Sequence, residues 1–287
     1  MTINISNAAY LANSIKNRPL VFWHYTIGPG GFASTDAEPG FPASNLWSAD
    51  TFTFWQSTDV SNTTIKNVVF ESEGDAPINY VMFTGTNFSN FSFGTRDGEV
   101  FISKSPNGTD WTFISGTDTE FIGDGTVIVY FDEETGPFFR VQLVPSSATS
   151  SEFMTVSHLR AGTATVLARP MYVGQSPSDR TVSRISNRSD SGKYLGDTVI
   201  SDVRSYSISQ DNTKPQFVRD FVVPFLKHAR CIGTMGFGPC GSFGFAWRPE
   251  DYPDEVLYCH PPDSLDWPNN SKRNGNMAWS INGAAEE

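Results

Sequence analysis

The chain has 287 residues, more than one ordinary core, so two domains are expected. Only 18% of the residues are charged while Phe (23) and Gly (24) are abundant, the profile of turn-rich β structure. A formal net charge of −11 excludes a nucleic-acid groove, because an acidic surface repels phosphate backbones. No run approaches the roughly 20 apolar residues of a membrane-crossing helix, so membrane insertion is not expected.

In chain order, the opening segment MTINISNAAYLANSIKNRPL has no basic start followed by an apolar core. No signal peptide is therefore expected, and synthesis in a cytoplasm is. Residues 1–19 read as a segment able to pair with either domain. Residues 20–168 form the first domain. Its strands are predicted at 66–71, 79–83, 99–103, 127–131 and 138–143, each stopping at a turn signal. Short strands in series with no helix between them imply an antiparallel sandwich. Pro170 cannot continue a central strand, so the crossing into a second domain, 169–287, falls at Arg169–Gly174.

Strands predicted over 180–186 and 199–208 place basic and hydroxyl residues on one face, as a strand does when that face is wet or touches another subunit. A helix is predicted over about 215–230, capped by Asn212 or Thr213, with Pro215 in its first turn. Phe217, Phe221, Phe225 and Leu226 share one face, Pro224 should kink or shorten the helix, and Gly233 stops it. Residues 243–258 read as strand, turn and strand, and 277–283 as a closing strand. Cys231, Cys240 and Cys259 contain no CxxC pair, so free structural thiols are expected rather than a metal site.

Motifs in the first half follow a definite order. Ala43-Ser44-Asn45-Leu46 leads to Asp50, Thr53 and Trp55; then comes Ser105-Pro106-Asn107-Gly108-Thr109-Asp110-Trp111, and then Phe139-Arg140-Val141-Gln142-Leu143. The Asn-Gly pair suits a hairpin because both residues tolerate positive φ. Together these segments resemble a discoidin-type, galactose-binding-like β-sandwich. In the second half RPMYVG (169–174), NRSDSGKYLG (187–196), WRPEDYPDEV (247–256) and AWSING (278–283) resemble distal or minor tail proteins of long-tailed bacteriophages, the siphophages.

The resemblances imply a mainly β chain of two sandwich domains, an N-terminal galactose-binding-like jelly roll and a C-terminal tail-tube-like sandwich with one helix. They imply a structural component of a virion tail tip or baseplate, a ring-forming adaptor that joins the tail tube to the tip. The implied partners are the tail tube, tail hub or tip, and tape measure proteins. A distal tail protein implies a homo-hexameric ring; a hub-associated protein would suit a trimer. Distal tail proteins carry the sugar-binding-like module after the ring domain, whereas here it comes first. That order leaves open whether the chain resembles the distal tail protein itself or a neighbouring minor tail protein. The alternative is a tail adhesin whose first domain binds host surface glycan.

Candidate glycan contacts are Trp47, Asp50 and Trp55 in the opening loop, although Trp55 and Trp111 are also read as core residues. Asp50 and Asp59 could contribute to a calcium site, which needs six or more oxygens; no other cofactor is expected. Candidate subunit-interface residues are Arg180, Arg184, Arg204 and Tyr206, because a closed ring pairs edge strands that would otherwise be exposed. His24, His158, His228 and His260 form no recognisable constellation, and no catalytic motif is present, so no enzymatic activity is expected.

Overall fold

The computed structural model describes residues 2–12, 18–48, 52–58, 64–91, 99–120, 125–145, 152–167, 180–188, 190–229, 241–260, 265–266 and 275–284. The chain is mainly β, with three sheets and one substantial helix among the described residues. Every predicted strand of the first half is present, most of them longer than the apolar run that betrays it: 79–83 extends to Ile78–Thr86 and 127–131 to Gly125–Glu134.

The first sheet has the order Thr2–Ile5, Gly125–Glu134, Ile78–Thr86, Thr155–Gly162, Trp55–Gln56. The second runs Ile27–Ala33, Lys66–Ser72, Phe138–Val144, Glu99–Ser105, Thr112–Phe113, with Thr119–Glu120 also on Glu99–Ser105. These two sheets form the sandwich. Its core holds Val68, Phe70, Val81, Phe83, Val127, Val129, Phe139 and Val141. The outer sheet shows simple alternation, because Phe138–Val144 buries every second residue.

The central strands behave differently, because the first sheet is covered on both faces. Val127, Val129 and Phe131 point into the sandwich core, while Ile128 and Tyr130 pack with Phe22, Ala246, Val256 and Tyr258 of the third sheet. A strand enclosed on both sides reads as a continuous apolar run, which is why 127–131 contains no polar residue.

The third sheet has the order Thr165–Val166, Leu20–Phe22, Phe243–Ala246, Val256–His260, Gly275–Ala284, Tyr194–Thr213, Arg180–Arg188, with Leu265–Asp266 on Gly275–Ala284. Sheet membership therefore does not divide at residue 20. Thr2–Ile5 runs parallel to Gly125–Glu134 in the first sheet, whereas Leu20–Phe22 pairs with Phe243–Ala246 in the third. The C-terminal half thus packs on the sandwich both directly and through Leu20–Phe22. Gly244 lets the layers approach: a Cβ there would lie 2.6 Å from Met82 Sδ and 3.3 Å from Ile128 Cδ1.

The helix covers the far face of the third sheet. It starts at Pro215, widens into a π turn over Val218–Val222 and ends as Val223–Ala229. The π turn directly precedes Pro224, whose missing N–H and bulky ring disfavour a regular α turn there. Lys214, not Asn212 or Thr213, occupies the N-cap, with no side-chain capping bond, because the preceding strand runs on through Thr213. Phe217, Phe221, Phe225 and Leu226 pack toward Trp23, Phe243, Phe245 and Leu257, as the predicted apolar face requires. Gly233 lies outside the described residues.

Candidate functional sites

The opening loop lies at the edge of the sandwich. A 3-10 turn, Ala43–Trp47, buries Ala43 and Leu46, and Asn45 Nδ2 donates to the Phe54 carbonyl at 2.9 Å. Phe41 and Phe54 stack with centroids 4.7 Å apart, and Trp47 meets Phe32 edge-on. Trp55 is fully buried in the core and cannot touch a ligand. Trp47 is half-buried against the same core. Asp50 and Asp59 lie outside the described residues, and no cluster of metal-binding side chains occurs among the described ones. The aromatic this loop presents outward is Phe52, 92% exposed. Sequence reasoning passed over it because a Phe in an aromatic-rich run reads as core.

Arg180–Arg188 and the long strand Tyr194–Thr213 form an antiparallel ribbon. Arg180 sits opposite Arg204, and Tyr206 opposite Ile281; the side chains of Arg180, Arg204 and Tyr206 lie outside the described residues. Arg184 is exposed, opposite Val199. The pairing with Gly275–Ala284 stops at Val203. Beyond it, among the described residues, the two strands pair only with each other, so the arm extends roughly 30 Å at about 3.3 Å per residue. Ile185 and Tyr194 are 52% and 61% exposed on it.

Three of the histidines gather at the junction of the first and third sheets, around a fully buried Arg160. The Arg160 guanidinium donates to the Ser242 carbonyl, to Ser242 Oγ at 2.7 Å and to His158 Nε2. Its Cζ lies 4.3 Å from the Tyr25 ring centroid and 5.8 Å from that of Tyr258. His228 packs on Tyr25 at 5.0 Å and on Trp23 at 5.7 Å, and its enclosed Nε2 has no hydrogen-bond partner. His24 Nδ1 lies 3.3 Å from Thr163 Oγ1. Among the described residues no carboxylate bonds to any of these groups. Burial lowers the Arg160 pKa to about 10, so the side chain stays charged. Burial, then the nearby Arg160 and His24, hold His228 down at about 4. The constellation escapes sequence reasoning because its members come from a strand, a helix and two loop positions far apart in the chain.

The segment WRPEDYPDEV folds as a self-contained turn. Tyr252 stacks on Trp247 at 5.2 Å and 9°, with Arg248 beside both rings. Trp247 Nε1 donates to Glu255, and Arg248 pairs with Asp251. The Pro253 carbonyl accepts from Ile3 N at 2.8 Å, which ties the turn to the first sheet.

No protein-family model and no curated protein matches the chain. Solved structures do. A chitosan-binding module of a Paenibacillus chitosanase/glucanase aligns over 48% of this chain and 98% of its own, at 15% identity and a TM-score of 0.39. A pectin-binding carbohydrate-binding module aligns over 51% and 96%, at 13% identity and a TM-score of 0.38. A family 32 module from Clostridium perfringens, solved with galactose, aligns over 49% and 98%, at 13% identity and a TM-score of 0.36.

Proposed function

We propose that the chain is a self-assembling structural protein, a ring-forming subunit of the tail tip of a long-tailed bacteriophage, with its sandwich displayed on that assembly. The observation that carries this reading is the ribbon. A two-stranded hairpin is marginal by itself in water, so an arm of this length gains from pairing or packing with a neighbour. Beyond Val203 the arm carries Arg184, Arg188 and Lys193 against Asp190, Asp197 and Asp202, so it brings no net charge to a neighbour on a chain of net charge −11. The reading takes binding and assembly, not turnover, as the activity. Light scattering against concentration tests it. The wild-type chain is expected to associate, and Ile185→Asp combined with Tyr194→Asp to shift it toward monomer; association unchanged by the pair would refute the role of the arm.

A second reading is favoured by Phe52. A ring 92% exposed, two residues before the stacked Phe54, offers a flat apolar face to a pyranose. In this reading the sandwich binds host surface glycan. The matched modules bind sugars by their own descriptions, but at this identity and TM-score that ligand does not pass to this chain. Pull-down on host surface polysaccharide, lost in Phe52→Ala, supports the reading; retention by the variant removes it.

A further inference from the structure

The outer face of the second sheet carries an organised surface that the fold does not need. Its inner residues, Val68, Phe70, Val100, Ile102, Phe139, Val141 and Leu143, already fill the core. On the outer side Phe101, Trp111 and Phe138 are half-buried and Phe113 is 48% exposed. Phe101 and Phe113 meet edge-on at 5.8 Å. Trp111, expected in the core, instead lies on this face with Arg140 Cζ 4.6 Å from its ring centroid.

Beside the aromatic groups runs a row of polar side chains joined end to end. Arg140 Nη2 donates to Gln142 Oε1 at 3.2 Å, Gln142 Nε2 donates to Asn67 Oδ1 at 3.2 Å, and the Asn67 backbone N–H donates to Asp36 Oδ2 at 2.8 Å. Asp36 is itself fixed through its N–H to Ser34 Oγ at 3.1 Å. The row is therefore preorganised. Arg140 is its only cation, and among the described residues no carboxylate pairs with it; its shielded Nε has no partner.

We propose that this face binds an acidic oligosaccharide, with the sugar carboxylate seated on Arg140. Guanidinium groups favour carboxylates for their planar, forked geometry. The amides of Gln142 and Asn67 each combine a donor group with an acceptor, which suits sugar hydroxyls that do both. The half-exposed Trp111 and Phe113 suit the apolar faces of pyranose rings. From Thr112–Phe113 to Lys66–Ser72 is three strand spacings, about 14 Å at roughly 4.8 Å each, room for an oligosaccharide rather than one sugar. The proposal shares only a ligand class with the second reading above and does not depend on the assembly.

Calorimetric titration of the full chain with tetragalacturonate, and with the neutral galactotetraose, tests it. The acidic sugar is expected to bind, the neutral one at least tenfold more weakly. Trp111→Ala and Gln142→Glu should each weaken the acidic sugar tenfold or more, the second by setting a carboxylate beside Arg140 without removing a packed group. Phe52→Ala should leave the affinity unchanged. Loss in Phe52→Ala alone would overturn this proposal and leave the opening-loop reading standing. Equal binding of the two sugars, or no binding of the acidic one, would overturn it as well.

Discussion

Acid should loosen the junction around Arg160, and His228 should account for a measurable share. Its pKa in the folded chain is about 4 against an ordinary 6.5, because burial and the neighbouring Arg160 and His24 disfavour the imidazolium. At about 1.4 kcal/mol per pH unit this corresponds to roughly 3 kcal/mol. His228 is only partly buried, and solvent screening brings the expectation to about 1–2 kcal/mol. The folded pKa is below the unfolded one, so the unfolded chain takes up the proton first. The contribution is whole above pH ~6.5, falls as pH drops toward ~4, and is lost below that. Arg160 stays charged across this window. Burial lowers the His24 pKa too, so His24 adds in the same direction. Denaturant unfolding at about pH 7.5 and about pH 4.5, followed by tryptophan fluorescence, reads the effect. Many carboxylates titrate as well, so the informative quantity is the difference from His228→Gln. The variant should lose about 1–2 kcal/mol less stability than wild type between the two pH values. An identical loss in both proteins would mean that His228 takes up its proton equally in the folded and unfolded chain.

Other outcomes follow from the packing. Gly162→Ala would place a Cβ 1.7 Å from the His24 carbonyl oxygen, with backbone that cannot swing aside. It should destabilise by 3 kcal/mol or more on the scale of overpacked cores, about 1–3 kcal/mol and occasionally beyond. Gly244→Ala meets the movable Met82 Sδ at 2.6 Å and should cost less, about 1 kcal/mol; thermal unfolding ranks the two. Trp55→Ala removes a fully buried ring and should cost about 3–5 kcal/mol, whereas Phe52→Ala should leave the midpoint within about 0.5 kcal/mol of wild type. Burial raises the Cys259 thiol pKa and encloses the sulfur, so peptide mapping after pulse alkylation should find Cys259 modified only in denaturant.

Much of the sheet structure is legible from local pattern. The run 138–143 alternates and pairs where alternation predicts, and the helix buries Phe221 and Phe225 and half-buries Phe217 and Leu226 on the face its period selects. The Ser105–Trp111 turn is also local. Gly108 takes φ +76°, while Asn107 contributes a side chain that accepts from the N–H groups of Thr109 and Asp110. Relations between distant segments are not legible. Nothing in Leu20–Phe22 says that it pairs with Phe243–Ala246, since any short apolar strand fits the interior of a covered sheet. Trp111 and Trp55 look alike in sequence, yet one lies beneath Arg140 on the surface and the other fills the core. The difference is set by whether the side chain turns to the inner or the outer side of the sandwich. His24, His158 and His228 likewise meet only because two sheets and a helix converge on Arg160.

Negative-stain class averages of the purified full chain at rising concentration show whether the projecting ribbon drives assembly. Closed rings with a central hole are expected, lost when Ile185 and Tyr194 are both changed to Asp. A monodisperse monomer at every concentration, with the same class averages for wild type and variant, would contradict it.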